Sequence, residues 1–307
     1  MNDHHELEAS HAARPSVALS LGTGGARGLA HIGAIEAIEA AGYRISAVAG
    51  SSMGALIGGI YAAGKLDVYR DWVCTLQKMD VLKLVDWTLS GAGLIKGERI
   101  IGVLRELIGE INIEELPIPY TAVATDLDRE REVWLTHGPL FDAIRASIAI
   151  PTIFRPHPLR GHRLVDGGLM NPLPLTPLLR SHSDYTVAVN VNGPFEAFAA
   201  AQPPVESGPP DGLRGRIAAL VKRTIGNHED KTSEPGWMAT LTQSLDLMQE
   251  NLSSFRLAAD RPDLVIEIPR NASTVYEFYR ALELIELGRE RAARALKAWQ
   301  PGAAATI

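Results

Sequence analysis

The feature that most constrains the fold of this sequence is a pattern that occurs twice within the first 63 residues. An apolar run of strand length, Ser16–Leu21, stops at the glycine-rich turn Gly22–Gly28, and a second run, Ile45–Ala49, stops at the turn Gly50–Gly54. A segment with apolar residues at helical spacing follows each turn. Strands that are joined through a helix run parallel. The pattern therefore predicts an α/β fold in which a parallel sheet is covered by helices.

The remainder of the chain alternates in a similar way. Helices are predicted at 29–41, 55–63, 67–79, 98–108, 139–147, 238–257 and 275–299, and further strands at 120–125, 132–136, 163–165, 185–190 and 263–268. Prolines and glycines predict a loop at 148–158 and a surface loop at 193–212. We therefore expect a flexible tail at 1–15 and one domain at 16–300, with its motifs in 16–192 and a mainly helical part at 213–300.

Composition excludes several classes of protein. An apolar fraction of 46% and a charged fraction of 21% exclude global disorder. The net charge of −6 argues against binding nucleic acid through the overall field. The single cysteine, Cys74, excludes an internal disulfide and a cysteine-cluster metal site, and it fits a reducing compartment. Without a signal-peptide core or a run of about 18 apolar residues, we expect a cytoplasmic protein with no transmembrane helix. Peripheral contact with the inner face of the membrane stays open.

The sharpest local motif is the G-x-S-x-G sequence Gly50-Ser51-Ser52-Met53-Gly54. A serine between a strand and a helix projects its hydroxyl only from a tight, strained turn, which requires small residues two positions before and after it. Gly50 and Gly54 meet this requirement for Ser52. The alternative is a turn of small residues in which Ser51 or Ser52 caps the helix.

The first glycine-rich turn, Gly22–Gly28, resembles a cradle of backbone N–H groups for an anion. A dinucleotide site would need a third glycine where Arg27 stands, and an acid where the second strand ends at Gly50 and Ser51. A triphosphate-binding lysine motif is absent. The remaining candidate is the oxyanion of an acyl intermediate, held by amides near Gly24–Gly28. This interpretation uses both turns, because both lie at carboxyl ends of neighbouring strands.

A serine nucleophile needs a proton acceptor. In a triad with the chain order Ser, Asp, His, the histidine would be His182 or His228, which follow Asp166. Both lie in polar sequences, where a histidine is more often a solvated loop residue. For the other histidines in the body of the chain, the sequence gives no reason to place them near Ser52: His31, His137, His157 and His162. The pair His157 and His162 is too weak a signal to predict a metal site. Asp166 ends a short strand at Asp166-Gly167-Gly168, where glycines allow close backbone approach, although Asp-Gly is also a common tight turn.

Four blocks, taken in order, give the sequence a resemblance to the patatin-like phospholipases. The blocks are Gly24-Gly25-Ala26-Arg27-Gly28, Gly50-Ser51-Ser52-Met53-Gly54, Ala146-Ser147-Ile148-Ala149-Ile150-Pro151-Thr152-Ile153-Phe154-Arg155-Pro156 and Asp166-Gly167-Gly168. The sequence Leu29-Ala30-His31-Ile32-Gly33 is similar to the bacterial branch of the family, although Thr23 stands where many of its members have a further glycine. The resemblance covers about residues 16–192 and does not extend to the C-terminal third.

The resemblance implies a three-layer α/β/α fold with a mostly parallel central sheet, and a Ser–Asp dyad that uses no histidine. By position, Ser52 is implied as the nucleophile and Asp166 as the general base. The implied oxyanion-hole residues are Gly24, Gly25, Arg27 and Gly28, and the tight turn around the nucleophile uses Gly50 and Gly54. The implied reaction transfers a fatty-acyl group from a (lyso)phospholipid or related lipid to water. It requires no metal and no organic cofactor, and it leaves the oligomeric state open.

Two other functional hypotheses remain at this stage. One is a triad esterase that uses His182 or His228, and the other is a lipid-binding or regulatory protein with little turnover. Residues 81–95 bear on the substrate, because they are rich in leucine and other apolar residues. They predict either ordinary core with an exposed tip, which is the more common case, or the lining of an acyl channel or a membrane contact.

Overall fold

The structure, a computed structural model, describes residues 14–84, 96–151, 153–196 and 237–301. Contacts between Cα atoms divide the chain into two units, the first formed by Met1–Phe195 together with Asp246–Ile307 and the second by Glu196–Leu245. Of the second unit, the described residues are Glu196 and the helical residues 237–245. The sheet and the candidate site belong to the first unit, as do the helices that cover the sheet except for residues 237–245.

Eight strands form one mixed sheet. They are β1 (Ser16–Leu21), β2 (Arg44–Ser51), β3 (Tyr120–Asp126), β4 (Arg131–Leu135), β5 (His157–Leu159), β6 (His162–Asp166), β7 (Tyr185–Gly193) and β8 (Leu264–Pro269). The strands β3, β2, β1, β7 and β8 pair in parallel, in that order, whereas β4 and β6 pair antiparallel to β3 and β5 pairs antiparallel to β6. The predicted, mostly parallel sheet is confirmed, and all six residues of β1 are buried at its centre.

The described residues contain eight α-helices, which lie on both faces of the sheet. They are α1 (Ala30–Ala40), α2 (Met53–Ala62), α3 (Leu66–Val73), α4 (Lys78–Leu84), α5 (Glu98–Ile108), α6 (Leu140–Ser147), α7 (Trp237–Asp260) and α8 (Ala281–Ala298). Side chains of β1 alternate between the two faces, as the pleat requires. Leu19 points into the large core under α1, α2 and α8, and Ala18 into a smaller cluster on the other face. Leu257 of α7 packs on that second face, which gives three layers.

Three predicted elements differ from the structure. The helix predicted at 67–79 is interrupted between Val73 and Lys78, where the Asp80 carboxylate accepts the Gln77 N–H and begins a new helix. The helix predicted at 275–299 begins only at Ala281, because the Val275 carbonyl accepts the Ala26 N–H of the glycine-rich turn and residues 278–280 form a short 3-10 helix. The loop predicted at 148–158 ends in a short strand, β5.

The register of β3 decides what meets at the site. Ala122 and Val123 pair with both β2 and β4, while residues 124–126 pair with both β6 and β4. Since a strand has only two edges, β2 and β6 follow one another along the edge of β3 that is opposite β4. Ser51, at the end of β2, pairs with Val123, and Asp166, at the end of β6, pairs with Ala124. The carboxyl ends of β2 and β6 therefore meet at one junction.

Candidate active site

Ser52 occupies the tight turn between β2 and α2. Its backbone lies in a strained region, with φ 55° and ψ −122°, and its side chain is buried. A Cβ atom at Gly50 would overlap the backbone of Gly54, and one at Gly54 would overlap the carbonyl of Leu21. Only glycine at both positions lets the chain turn this sharply against β1. The geometry is that of a strand-to-helix elbow with a serine at its apex.

Asp166 lies beside this serine. The Ser52 hydroxyl donates a 2.6 Å hydrogen bond to Oδ2 of Asp166, and the Gly168 amide donates to its Oδ1 at 2.7 Å. Both dyad side chains are only 2% exposed. Burial raises the pKa of Asp166 to about 7, and the two hydrogen bonds oppose this rise. A carboxylate with a pKa near neutrality is a better proton acceptor than an ordinary aspartate.

The glycine-rich turn forms a short 3-10 helix, Gly25–Leu29, next to the elbow. Two of its amides already have acceptors, since Ala26 N–H donates to the Val275 carbonyl and Arg27 N–H to that of Gly24. The first amides of a helix have no acceptor within the helix. This applies to Gly25 here and to Met53, the first residue of α2, and both residues line the cavity at Ser52.

The side chain of Arg27 anchors the same turn from within the protein. Its guanidinium donates to the Ser273 carbonyl at 3.3 Å and to Asn192 Oδ1 at 3.1 Å, and it lies 3.6 Å from Asp246. Burial lowers the pKa of Arg27, and the Asp246 carboxylate opposes that shift. Arg27 thus ties the turn to β7 and α7.

A cavity of about 610 Å³ opens at Ser52. Its wall is almost wholly aliphatic and aromatic and comes from α2, α3, α4, α5, the segment after α6 and the segment before α8: Leu56, Tyr69, Trp72, Val73, Leu76, Val81, Leu82, Leu84, Ile100, Leu104, Ile148, Ile150, Ile153, Phe154, Val275, Tyr276, Phe278 and Tyr279. Leu82 and Leu84 therefore line a channel, as one interpretation of 81–95 expected, while residues 85–95 lie outside the described residues. The volume and the apolar wall suit a long hydrocarbon chain.

No hydrogen bond joins Ser52 to a histidine within the described residues. His182 is exposed in the turn before β7, where Ser183 bonds to Ser46 near the amino end of β2, opposite the elbow. His31 is fully buried and donates to the Gly22 carbonyl at 2.8 Å, and burial lowers its pKa to about 4. His228 lies outside the described residues, and His137 and His157 line the surface around β4 and β5.

One group of donor atoms in the described part of the chain has the spacing of a metal site. The side chains of Asp126, Asp128 and His162 lie within 4.8 Å of one another. The carboxylate of Asp126 accepts the amides of Asp128 and Arg129, and that of Asp128 is bound by the guanidinium of Arg163. Because the protein itself satisfies these carboxylates, we assign no metal to the group.

Sequence reasoning missed the Met53 amide and the cavity wall from 274 to 279. The first could have been found from the rule that the residue after an elbow nucleophile supplies an oxyanion donor. The second could not, because Tyr276, Phe278 and Tyr279 have the composition of an amphipathic helix start. No helix in the described part of the chain is long and apolar enough to cross a membrane.

Comparison with known proteins shows which family the sequence resembles. Residues 19–179 match the family model described as patatin-like phospholipase. An uncharacterized NTE family protein of Mycobacterium tuberculosis (strain ATCC 25618 / H37Rv) is 38% identical over 95% of this chain and 96% of its own length. Neuropathy target esterase sws of Drosophila melanogaster is 32% identical over 57% of this chain and 13% of its own length.

Among solved structures, VipD from Legionella pneumophila aligns with 93% of this chain and 67% of its own, at 13% identity and a TM-score of 0.44. The fold and the elbow define an α/β protein with a serine at a strand-to-helix turn. The family model and the mycobacterial relative go further: the chain belongs to the patatin-like phospholipase family.

Proposed function

We propose that this protein is a serine acyl hydrolase that cleaves fatty-acyl ester bonds of (lyso)phospholipids or related lipids. The observation that carries the proposal is the 2.6 Å hydrogen bond from Ser52 Oγ to Asp166 Oδ2 at the mouth of an apolar cavity. Membership of the patatin-like phospholipase family supports lipid as the substrate class. The name of the Drosophila relative is that of an esterase, which supports the reaction class.

The chemistry follows from the groups around Ser52. Asp166, with its pKa near 7, takes the hydroxyl proton as Ser52 Oγ attacks the ester carbonyl carbon. The negative charge that develops on the carbonyl oxygen is held by amides of the Gly24–Gly28 turn, among them that of Gly25, and by the amide of Met53, because both residues line the cavity and begin a helix. The proton passes to the leaving alcohol, an acyl-serine remains, and water activated by Asp166 releases the fatty acid.

The cavity supplies binding energy rather than reactive groups. An acyl chain laid against Leu56, Trp72 and Leu104 leaves water, at a gain of about 0.8 kcal/mol for each buried methylene. Such contacts hold the ester carbonyl next to Ser52.

Hydrolysis of a p-nitrophenyl ester by three variants tests the mechanism. Ser52→Ala removes the nucleophile and Asp166→Asn the base, and each should lower kcat by about 10³-fold or more. The double variant His182→Ala/His228→Ala should keep the wild-type rate. A loss of rate in this double variant would instead support a triad. A wild-type protein that neither hydrolyses esters nor reacts with a fluorophosphonate would support the lipid-binding hypothesis.

The pH dependence tests the base. Only ionised Asp166 accepts a proton, so kcat/KM should rise with pH, with a midpoint near 7, and fall about tenfold per pH unit well below it. Mapping of a fluorophosphonate adduct identifies the nucleophile in the same samples. An adduct on any residue other than Ser52 would contradict the dyad, and a rate that is flat between pH 5 and 8 would contradict the raised pKa of Asp166.

A further inference from the structure

A buried hydroxyl sits at the junction where β2 and β6 meet. Ser147, the last residue of α6, is fully buried. Its Oγ accepts the backbone N–H of Ser52 at 2.9 Å and donates to the carbonyl of Val123 at 2.6 Å. The hydroxyl thus joins the backbone of the elbow serine to the strand that pairs with both β2 and β6.

The place of this hydroxyl follows from the sheet. The ladder between β2 and β3 ends with the pair Ser51 and Val123, because the chain turns away at Ser52 into positive φ. The next pair on that edge of β3 is Ala124 with Asp166. Beyond the Ser51–Val123 pair, the Ser147 hydroxyl continues the link between the elbow and β3, because it accepts the Ser52 N–H and donates a hydrogen bond to the Val123 carbonyl.

We propose that Ser147 is a positioning residue that sets the separation between the Ser52 hydroxyl and the Asp166 carboxylate. The inference rests on the proposed function of these two residues. A hydrogen bond to the Ser52 N–H fixes the plane of the Ser51–Ser52 peptide, and that plane directs the Cβ and Oγ of Ser52. Strained backbone persists only where its surroundings over-determine it, and this bond is one such determinant.

Both members of the dyad are thus linked to consecutive residues of β3. Ser52 is tied to Val123 through Ser147, and Asp166 is paired with Ala124. The helix that carries Ser147 is itself held on three sides, since α6 packs against β3, β6 and α2. Phe141 and Ile144, on the same helix, are fully buried. Ser147 therefore has little freedom to move, and neither does the bond it makes.

Removal of the hydroxyl should loosen the dyad without touching the substrate. In Ser147→Ala, Ser52 N–H and the Val123 carbonyl lose this partner, at a place where both residues are buried. The elbow can then relax, and the Ser52–Asp166 hydrogen bond lengthens. Because that bond opposes the burial-driven rise in the pKa of Asp166, its loss should raise the apparent pKa of the rate profile.

The experiment compares Ser147→Ala with Ser20→Ala in ester hydrolysis. Ser20 is also fully buried, and its hydroxyl has no hydrogen-bond partner among the described residues, so Ser20→Ala is the same chemical change without the bridge. We expect Ser147→Ala to lower kcat 10–100-fold with KM changed less than twofold, and to move the acidic limb of the pH profile upward. Ser20→Ala should keep the wild-type kcat and the wild-type limb.

Two further variants keep the test decisive. Ser147→Thr retains a hydroxyl and should recover most of the rate if the bond is what matters. Ser147→Cys, with a weaker donor, takes the place of Ser147→Ala if that variant does not fold. A wild-type kcat per fluorophosphonate-titrated site in Ser147→Ala, with an unmoved pH limb, would overturn the positioning role. Persistent hydrolysis by Ser52→Ala would instead overturn the proposed function itself.

Discussion

The dyad and the apolar cavity lie next to each other in the same unit, but backbone geometry forms the first and side chains form the second. The dyad depends on backbone: strand register, an elbow between two glycines and a buried carboxylate that accepts an amide. The cavity depends on side chains from six segments that share no motif. We therefore expect the dyad to tolerate little change, and the cavity wall to accept substitutions one side chain at a time.

The largest expected effect comes from a methyl group added to the dyad region. Gly54→Ala would drive a Cβ atom into the Leu21 carbonyl of β1, which is buried backbone and cannot move aside. We expect a loss of about 3 kcal/mol or more in the free energy of unfolding and a loss of at least 100-fold in kcat. Chemical denaturation and ester hydrolysis measure the two effects.

Gly102→Ala is the matched control for this change. A Cβ atom at Gly102 meets no atom within 4 Å, and the residue lies within α5. The added methyl group should stabilise the helix by about 0.5–1 kcal/mol and leave kcat unchanged. Equal tolerance of alanine at Gly54 and Gly102 would contradict the tight approach of the elbow to β1.

Asp166→Asn should separate activity from stability. The folded state holds the carboxyl proton up to a pH of about 7, whereas the unfolded chain releases it near 3.8. The stability of the wild type therefore falls as pH rises through this window, by about 4 kcal/mol at most. Asparagine has no charge to bury, so the variant should be the more stable protein above pH 7 and should lose its advantage near pH 4.

Denaturation midpoints of the wild type and Asp166→Asn, measured at pH 5, 6, 7 and 8, test this expectation. The amide keeps an oxygen for the Gly168 N–H, so the turn after β6 should be retained. A variant that is less stable than the wild type at pH 8 would show that the carboxylate is ionised at little cost. The raised pKa of Asp166 would then be wrong.

The same contrast explains what the sequence could predict. Gly50 and Gly54 are backbone-determined positions, and their place in strand–turn–helix units predicted the sheet and the elbow, whereas Asp166 was implied as the partner of Ser52 only by the family resemblance. The meeting of β2 and β6 on one edge of β3 was not predictable, because it depends on pairing between residues far apart in the sequence, Ser51 with Val123 and Ala124 with Asp166. Ser147 belongs to a block that drew attention only through family resemblance.

The cavity wall was the least predictable part. Residues 275–280 have helical periodicity, but the Val275 carbonyl accepts the Ala26 N–H, and this tertiary hydrogen bond holds the segment along the glycine-rich turn instead of in α8. Likewise Leu82 and Leu84 have no feature that distinguishes a channel wall from ordinary core. An apolar sequence predicts that side chains are buried, but it does not predict whether a buried side chain contacts other protein atoms or lines a cavity.

The smallest expected effect is a change in chain-length preference. Val81 is half-buried on α4 and lines the cavity, so Val81→Trp should fill space that an acyl chain would use. The ratio of kcat/KM for a dodecanoyl ester to that for a butanoyl ester should fall about tenfold, which corresponds to two methylenes excluded from the apolar wall. Met79→Trp on the same helix is the control, because Met79 is 62% exposed and does not line the cavity. An equal fall of this ratio in both variants would show that the effect comes from the exposed surface of α4. An unchanged ratio in both would show that this cavity does not bind the acyl chain.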